Sequence, residues 1–140
     1  HLLLLPALLF DAAHGYLGRL DDSPMDGAKN RALRLVLCVD EARLVLSYQQ
    51  QSLIGLVRES RSKGGVVMFI SQSPDDFDQK TENFLENIGL TLCFRTAARS
   101  TALTSLLGQQ VDLNGLKNGT CVTRLSGSGL SRIKAFSFES

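Results

Sequence analysis

Apolar and polar positions along the chain group into alternating helical and extended segments. Leu2 to Phe10 is an almost unbroken apolar run, predicting a buried helix that reaches Leu17 or Leu20. Asp21 to Asn30 is polar and holds Pro24 and Gly27, so it reads as a surface loop. Leu33 to Val39 is apolar apart from one Arg, the pattern of a strand buried on both faces, and it stops at Asp40-Glu41. From Gln49 to Lys63, Leu53, Leu56 and Val57 recur at helical spacing, and Gly64-Gly65 closes that helix. Val66 to Ile70 is a second apolar strand, ending in Ser71-Gln72-Ser73-Pro74. Asp75 to Asp78 precede a short helix with Phe84, Leu85 and Ile88 on one face. Leu90 to Phe94 reads as a third strand ending at Arg95, and Ser100 to Leu107 as a helix stopped by Gly108. Thr120 to Leu125 and Leu130 to Phe138 read as two antiparallel strands joined by Ser126 to Gly129, with one face wet.

This order predicts a three-layer α/β fold with a mostly parallel sheet and a C-terminal β-hairpin. Residues 1–140 read as a single domain, with a helix over 1–20 ahead of the first strand. In such folds the functional residues collect at the carboxyl ends of the strands.

Those ends carry Asp40-Glu41, Gln72 and Arg95. A carboxylate held directly after a buried strand, as Asp40 is, suits the orientation of a magnesium ion through water. Glu41, one residue on, suits the polarisation of an attacking water. Gln72 suits sensing or positioning of a terminal phosphate. The plainer alternative is that Asp40 and Glu41 only cap the segment that follows.

Leu35 to Ala42 (LVLCVDEA) resembles the Walker B segment of P-loop ATPases. The arginine-bearing helix, Gly64-Gly65, the strand Val66 to Ile70 and Ser71-Gln72-Ser73-Pro74 are similar to the HerA/FtsK branch of that family. Asn87-Ile88-Gly89, Phe94-Arg95, Leu106-Leu107-Gly108 and Leu116 to Thr120 resemble its later segments in the same order. The resemblance implies the C-terminal part of a RecA-like ATPase core, from an ATP-driven DNA translocase or helicase that works as a hexameric ring. It implies ATP and Mg2+ as ligands, with Asp40 as the water-mediated metal contact. Glu41 would activate water, Gln72 would sense the γ-phosphate, and Arg58 or Arg61 would serve the adjacent subunit. Arg95 would touch phosphate or a neighbour. DNA restriction or phage defence, conjugation, chromosome segregation and end resection are the tasks such engines perform.

Two departures qualify the resemblance. No G-x-x-x-x-G-K-[ST] occurs, so no Walker A phosphate loop lies within these residues, and the segment alone is expected to hydrolyse ATP negligibly. Arg43 stands where many relatives have His. A degenerate module serving assembly or DNA contact is therefore the second reading, and a flavodoxin-like small-molecule binder a third.

Composition narrows the field further. The 140 residues carry fifteen Lys plus Arg against fourteen Asp plus Glu, a formal charge of +1, which excludes a wholly basic nucleic-acid binder. Arg124, Arg132 and Lys134 would still form a small basic stripe on the hairpin. Cys38, Cys93 and Cys121 lie in apolar runs with no C-x-x-C pair, predicting reduced core thiols in a cytoplasmic protein. His1 and His14 have no partner at metal-ligand spacing, and there is no G-x-S-x-G. The leading apolar run lacks a basic flank and is too short for a bilayer, so no membrane contact is expected. A chain opening on His1 rather than Met reads as a piece of a longer or processed protein.

Overall fold

A computed structural model describes residues 4–47, 51–77 and 87–134. It divides into two compact units, His1–Gln72 and Ser73–Ser140.

In the first unit, helix α1 (Leu4–Gly18) packs against helix α3 (Gln51–Lys63). α1 buries Phe10, Ala13 and Leu17, and α3 buries Leu53, Leu56 and Ser60. The seam carries polar fasteners. Ser52 donates to Asp11, and His14 Nε2 lies 3.2 Å from Glu59 Oε2. Gly55 leaves room for that imidazole, since a methyl group there would sit 2.8 Å from two ring atoms. α1 is buried on one face only, because Leu4, Leu5, Leu8 and Leu9 are exposed. The fully buried helix expected from its composition is thereby corrected.

Strands β1 (Leu35–Val39) and β2 (Gly65–Phe69) pair in parallel, Leu35 with Gly65 through Val39 with Phe69, and α3 lies on the connection between them. Leu37 and Val39 are buried, whereas Val36, Cys38, Val66 and Met68 are exposed. The expectation of strands buried on both faces fails here, because α3 packs on β2 and both helices serve a single face. Cys38 therefore sits at the surface rather than in the core.

The α3–β2 junction is closed tightly. Gly64 takes the left-handed conformation (φ 77°), and its carbonyl accepts from the amides of Arg34 (2.8 Å) and Leu35 (3.3 Å). The buried Ser23 hydroxyl donates to the Ala32 carbonyl, 2.5 Å away, and Arg31 donates to the carbonyls of Ser23 and Ser62. Lys63 donates to Leu20 O and pairs with Asp22, whose carboxyl is held below the usual range chiefly by that lysine. The predicted surface loop is thus strapped to the end of α3. Its tip is an Asx turn, in which Asp26 accepts from the amides of Ala28 and Asn30.

In the second unit, β3 (Leu90–Cys93), β4 (Thr120–Leu125) and β5 (Leu130–Lys134) form an antiparallel sheet in the order β3-β4-β5. The expected hairpin is β4–β5. β3 departs from expectation: it pairs antiparallel with β4 instead of extending the parallel sheet. A four-residue apolar strand is equally compatible with either sheet, so its partner could not be read from pattern alone. The alternation expected of β4 also fails, since Cys121, Val122 and Thr123 are all buried on this central strand. Helix α4 (Thr101–Leu107) is capped by the Ser100 hydroxyl at its start and by left-handed Gly108 at its end. Leu103, Leu107, Leu113, Leu116 and Val122 form the core of this unit. Pro74–Phe77 is a 3₁₀ turn, with Ser73 Oγ accepting from the Asp75 amide. The expected helix face of Phe84 and Leu85 lies outside the described residues, as do Asp78, His1 and the end of the last expected strand. The overall class is mixed α/β, one parallel and one antiparallel sheet, consistent with part of a P-loop NTPase domain.

Candidate active site

Parallel pairing places the carboxyl ends of β1 and β2 side by side. The Ile70 amide donates to Val39 O and the Ala42 amide donates to Ile70 O, both at 2.9 Å. Asp40-Glu41 and the Ile70 to Gln72 segment are thereby stitched into one edge. Asp40, Glu41 and Gln72 are all exposed there. Asp40 Oδ1 accepts from the Glu41 amide at 2.9 Å. Glu41 has φ 50°, a left-handed conformation uncommon outside glycine.

Behind this edge runs α2 (Arg43–Leu46), a one-turn helix absent from the sequence reading. It buries Val45 and Leu46, and Ala42 ahead of it is fully buried. The signal was there: Ala42, Val45 and Leu46 stand at i, i+3 and i+4. It was too short to register as a period. Arg43 is exposed, on the outer side of this turn.

The other predicted residues lie elsewhere. Arg58 and Arg61, both exposed, are in the second half of α3, whose end leads straight into the amino end of β2. A 13-residue helix spans about 20 Å, so the arginines sit toward the opposite end of the sheet from Asp40 and Gln72. Arg95 follows β3 in the second unit. Arg124 is committed to α4: its guanidinium donates to the carbonyls of Ser105 (3.2 Å) and Leu106 (3.1 Å). Arg132 and Lys134 share its sheet face, paired with Val122 and Thr120, and are exposed. Cys93 is partly buried, and desolvation pushes its thiol up to about 11.

Among the described residues no three His, Cys, Asp or Glu side chains gather as a metal cage. Magnesium does not require one, since it is commonly held through one or two carboxylates, water and substrate phosphates. A single exposed carboxylate at a strand end, with one oxygen fixed by a backbone amide, fits that mode. Among the described residues no helix is long and apolar enough to cross a membrane.

A mixed α/β unit with an Asp-Glu pair and a Ser-Gln segment on one sheet edge is consistent with part of a P-loop ATPase domain. A family profile agrees: the AAA-like domain matches residues 25–131, about three-quarters of the chain, and the chain belongs to that family. No curated protein matches the chain.

Proposed function

We propose that this chain supplies the water-activating half of an ATP-hydrolysing motor of the HerA/FtsK kind, acting on DNA. The observation that carries the reading is the joined edge. The Ala42–Ile70 hydrogen bond ties the Asp-Glu turn to the strand leading to Gln72, inside a segment matched by an ATPase family. Asp40 would hold Mg2+ through water, Glu41 would orient and polarise the attacking water, and Gln72 would read the γ-phosphate. ATP and the metal supply the reactive phosphoryl group and charge neutralisation when bound. Arg58 and Arg61, remote from this edge in their own chain, would serve an adjacent subunit of a homo-oligomeric ring. Arg95 would contact phosphate or the neighbour.

The test is Glu41→Gln in the full-length protein. Steady-state ATP turnover is expected to fall at least about 10²-fold, the ordinary worth of a general base, while ATP binding persists. Unchanged turnover sinks the role of Glu41. Absence of nucleotide binding in the unmodified full-length protein would instead favour the non-catalytic assembly or DNA-contact module.

A further inference from the structure

We infer that the outer side of α1 is a contact surface for a second copy of this chain, whose own α1 packs on it antiparallel about a two-fold axis. The inference goes beyond the ATPase reading and does not rest on it. A two-fold contact closes on itself, whereas a ring needs head-to-tail contacts.

α1 carries two apolar stripes. Phe10, Ala13 and Leu17 form the one buried within the first unit. Leu5, Leu9, Ala12 and Tyr16 form the other, at spacings of four, three and four residues. That is the a/d spacing of helices that pair with helices. All four are exposed, Leu5 at 77%, and Leu4 and Leu8 beside them are exposed as well. No charged residue interrupts the stripe. Asp11 and His14 are engaged instead by Ser52 and Glu59 on α3. A contiguous apolar surface of this kind marks a contact.

The stripe is complementary to itself, and this selects the occupant. With the two-fold axis level with the Phe10–Asp11 peptide, Leu5 faces Tyr16 of the second copy and Leu9 faces its Ala12. Each a position then meets a d position, and a small side chain sits opposite a large one at the centre. A parallel pair would set Ala12 on Ala12, leaving a gap, and Tyr16 on Tyr16. The antiparallel arrangement also opposes the two helix dipoles favourably. No like charges meet across the axis, because the stripe has none.

The contact is small, so it is tested by a cross-link that traps weak pairs. The full-length protein would carry Leu5→Cys and Tyr16→Cys in a Cys38→Ser background, which removes the exposed natural thiol. After mild oxidation, disulfide-linked peptides are mapped by mass spectrometry. Positions 5 and 16 lie about 16 Å apart along one helix, beyond the reach of a disulfide, so a 5–16 bond joins two copies. The expected result is a 5–16 bond without 5–5 or 16–16 bonds. Adding Ala12→Asp, at a site exposed in the single chain, should leave the helical circular dichroism unchanged. It should lower the 5–16 yield more than about tenfold, because two unpaired carboxylates would be buried beside the axis. Bonds joining 5–5 and 16–16, absence of any bond between copies, or an unchanged yield in Ala12→Asp each overturn the inference. The expected bonds in a protein that binds no nucleotide uphold it, and only the ATPase reading falls.

Discussion

Replacing Gly64 by Ala tests the junction that sets the register of β1 against β2. Gly64 sits at φ 77°, where an alanine costs about 1–2 kcal/mol. The new methyl would also press on the Ala32 carbonyl oxygen, well inside contact distance, and lie 2.8 Å from Ser23 Oγ. Neither atom can yield freely, because Ser23 donates to that same carbonyl and its own amide donates to Ser62 O at 2.8 Å. Relief therefore means losing a hydrogen bond around a buried serine, about 1–3 kcal/mol more. The sum is about 2–5 kcal/mol, a large share of the roughly 5–15 kcal/mol of an ordinary domain. The assay is urea unfolding of Gly64→Ala beside Gly27→Ala, where an added methyl meets nothing within 4 Å. With a slope of about 2 kcal/mol/M, the Gly64→Ala midpoint should fall by about 1–2.5 M at unchanged slope, while Gly27→Ala stays near the parent. A Gly64→Ala midpoint within about 0.3 M of the parent would refute the reasoning.

Thiol alkylation at pH 8 should modify Cys38 first. Cys93, with its thiol pushed up to about 11, and the buried Cys121 should follow slowly, as peptide mass mapping would show; equal rates would contradict the assigned exposures. Arg124→Met should cost about 1–2 kcal/mol in thermal or urea unfolding by stripping the donor from the carbonyls of Ser105 and Leu106, and Arg124→Lys should restore part of that loss. The Asp26 carboxyl is held below its ordinary range by the Asn30 amide. Its contribution is complete above the ordinary carboxylate range and disappears as pH falls through the lowered folded value, so the Asn30 amide resonance should move only in that acid window.

The sequence carried α3, α4 and the shared end of the first two strands well, because each was marked more than once. α3 had periodic leucines and a closing Gly64, and α4 had Ser100 and Gly108 at its ends. Asp40-Glu41 and Gln72 followed two apolar runs joined by a helix, an order that dictates parallel pairing and a shared carboxyl end. Composition could not say how many faces of a strand are covered. Cys38 and Met68 look like core residues in a string of letters, yet burial depends on what packs above them. Nor could it place β3, whose four residues carry no information about direction. The left-handed Glu41 was illegible for a different reason: the turn is closed by the Ala42 amide on Ile70 O across the sheet, twenty-eight positions away.

The β1–β2 ladder has a consequence for the order of assembly. Its first pair, Leu35 and Gly65, closes a loop of thirty residues before any strand hydrogen bond forms. Such a closure costs roughly 3 kcal/mol of chain entropy. The α1–α3 helix pair, which buries Phe10, Leu17, Leu53 and Leu56, is the source of apolar burial able to offset it. The carboxyl edge bearing Asp40 and Gln72 therefore depends on that distant burial to hold its ladder closed. Truncating Leu56, fully buried on α3, should slow refolding more than it hastens unfolding.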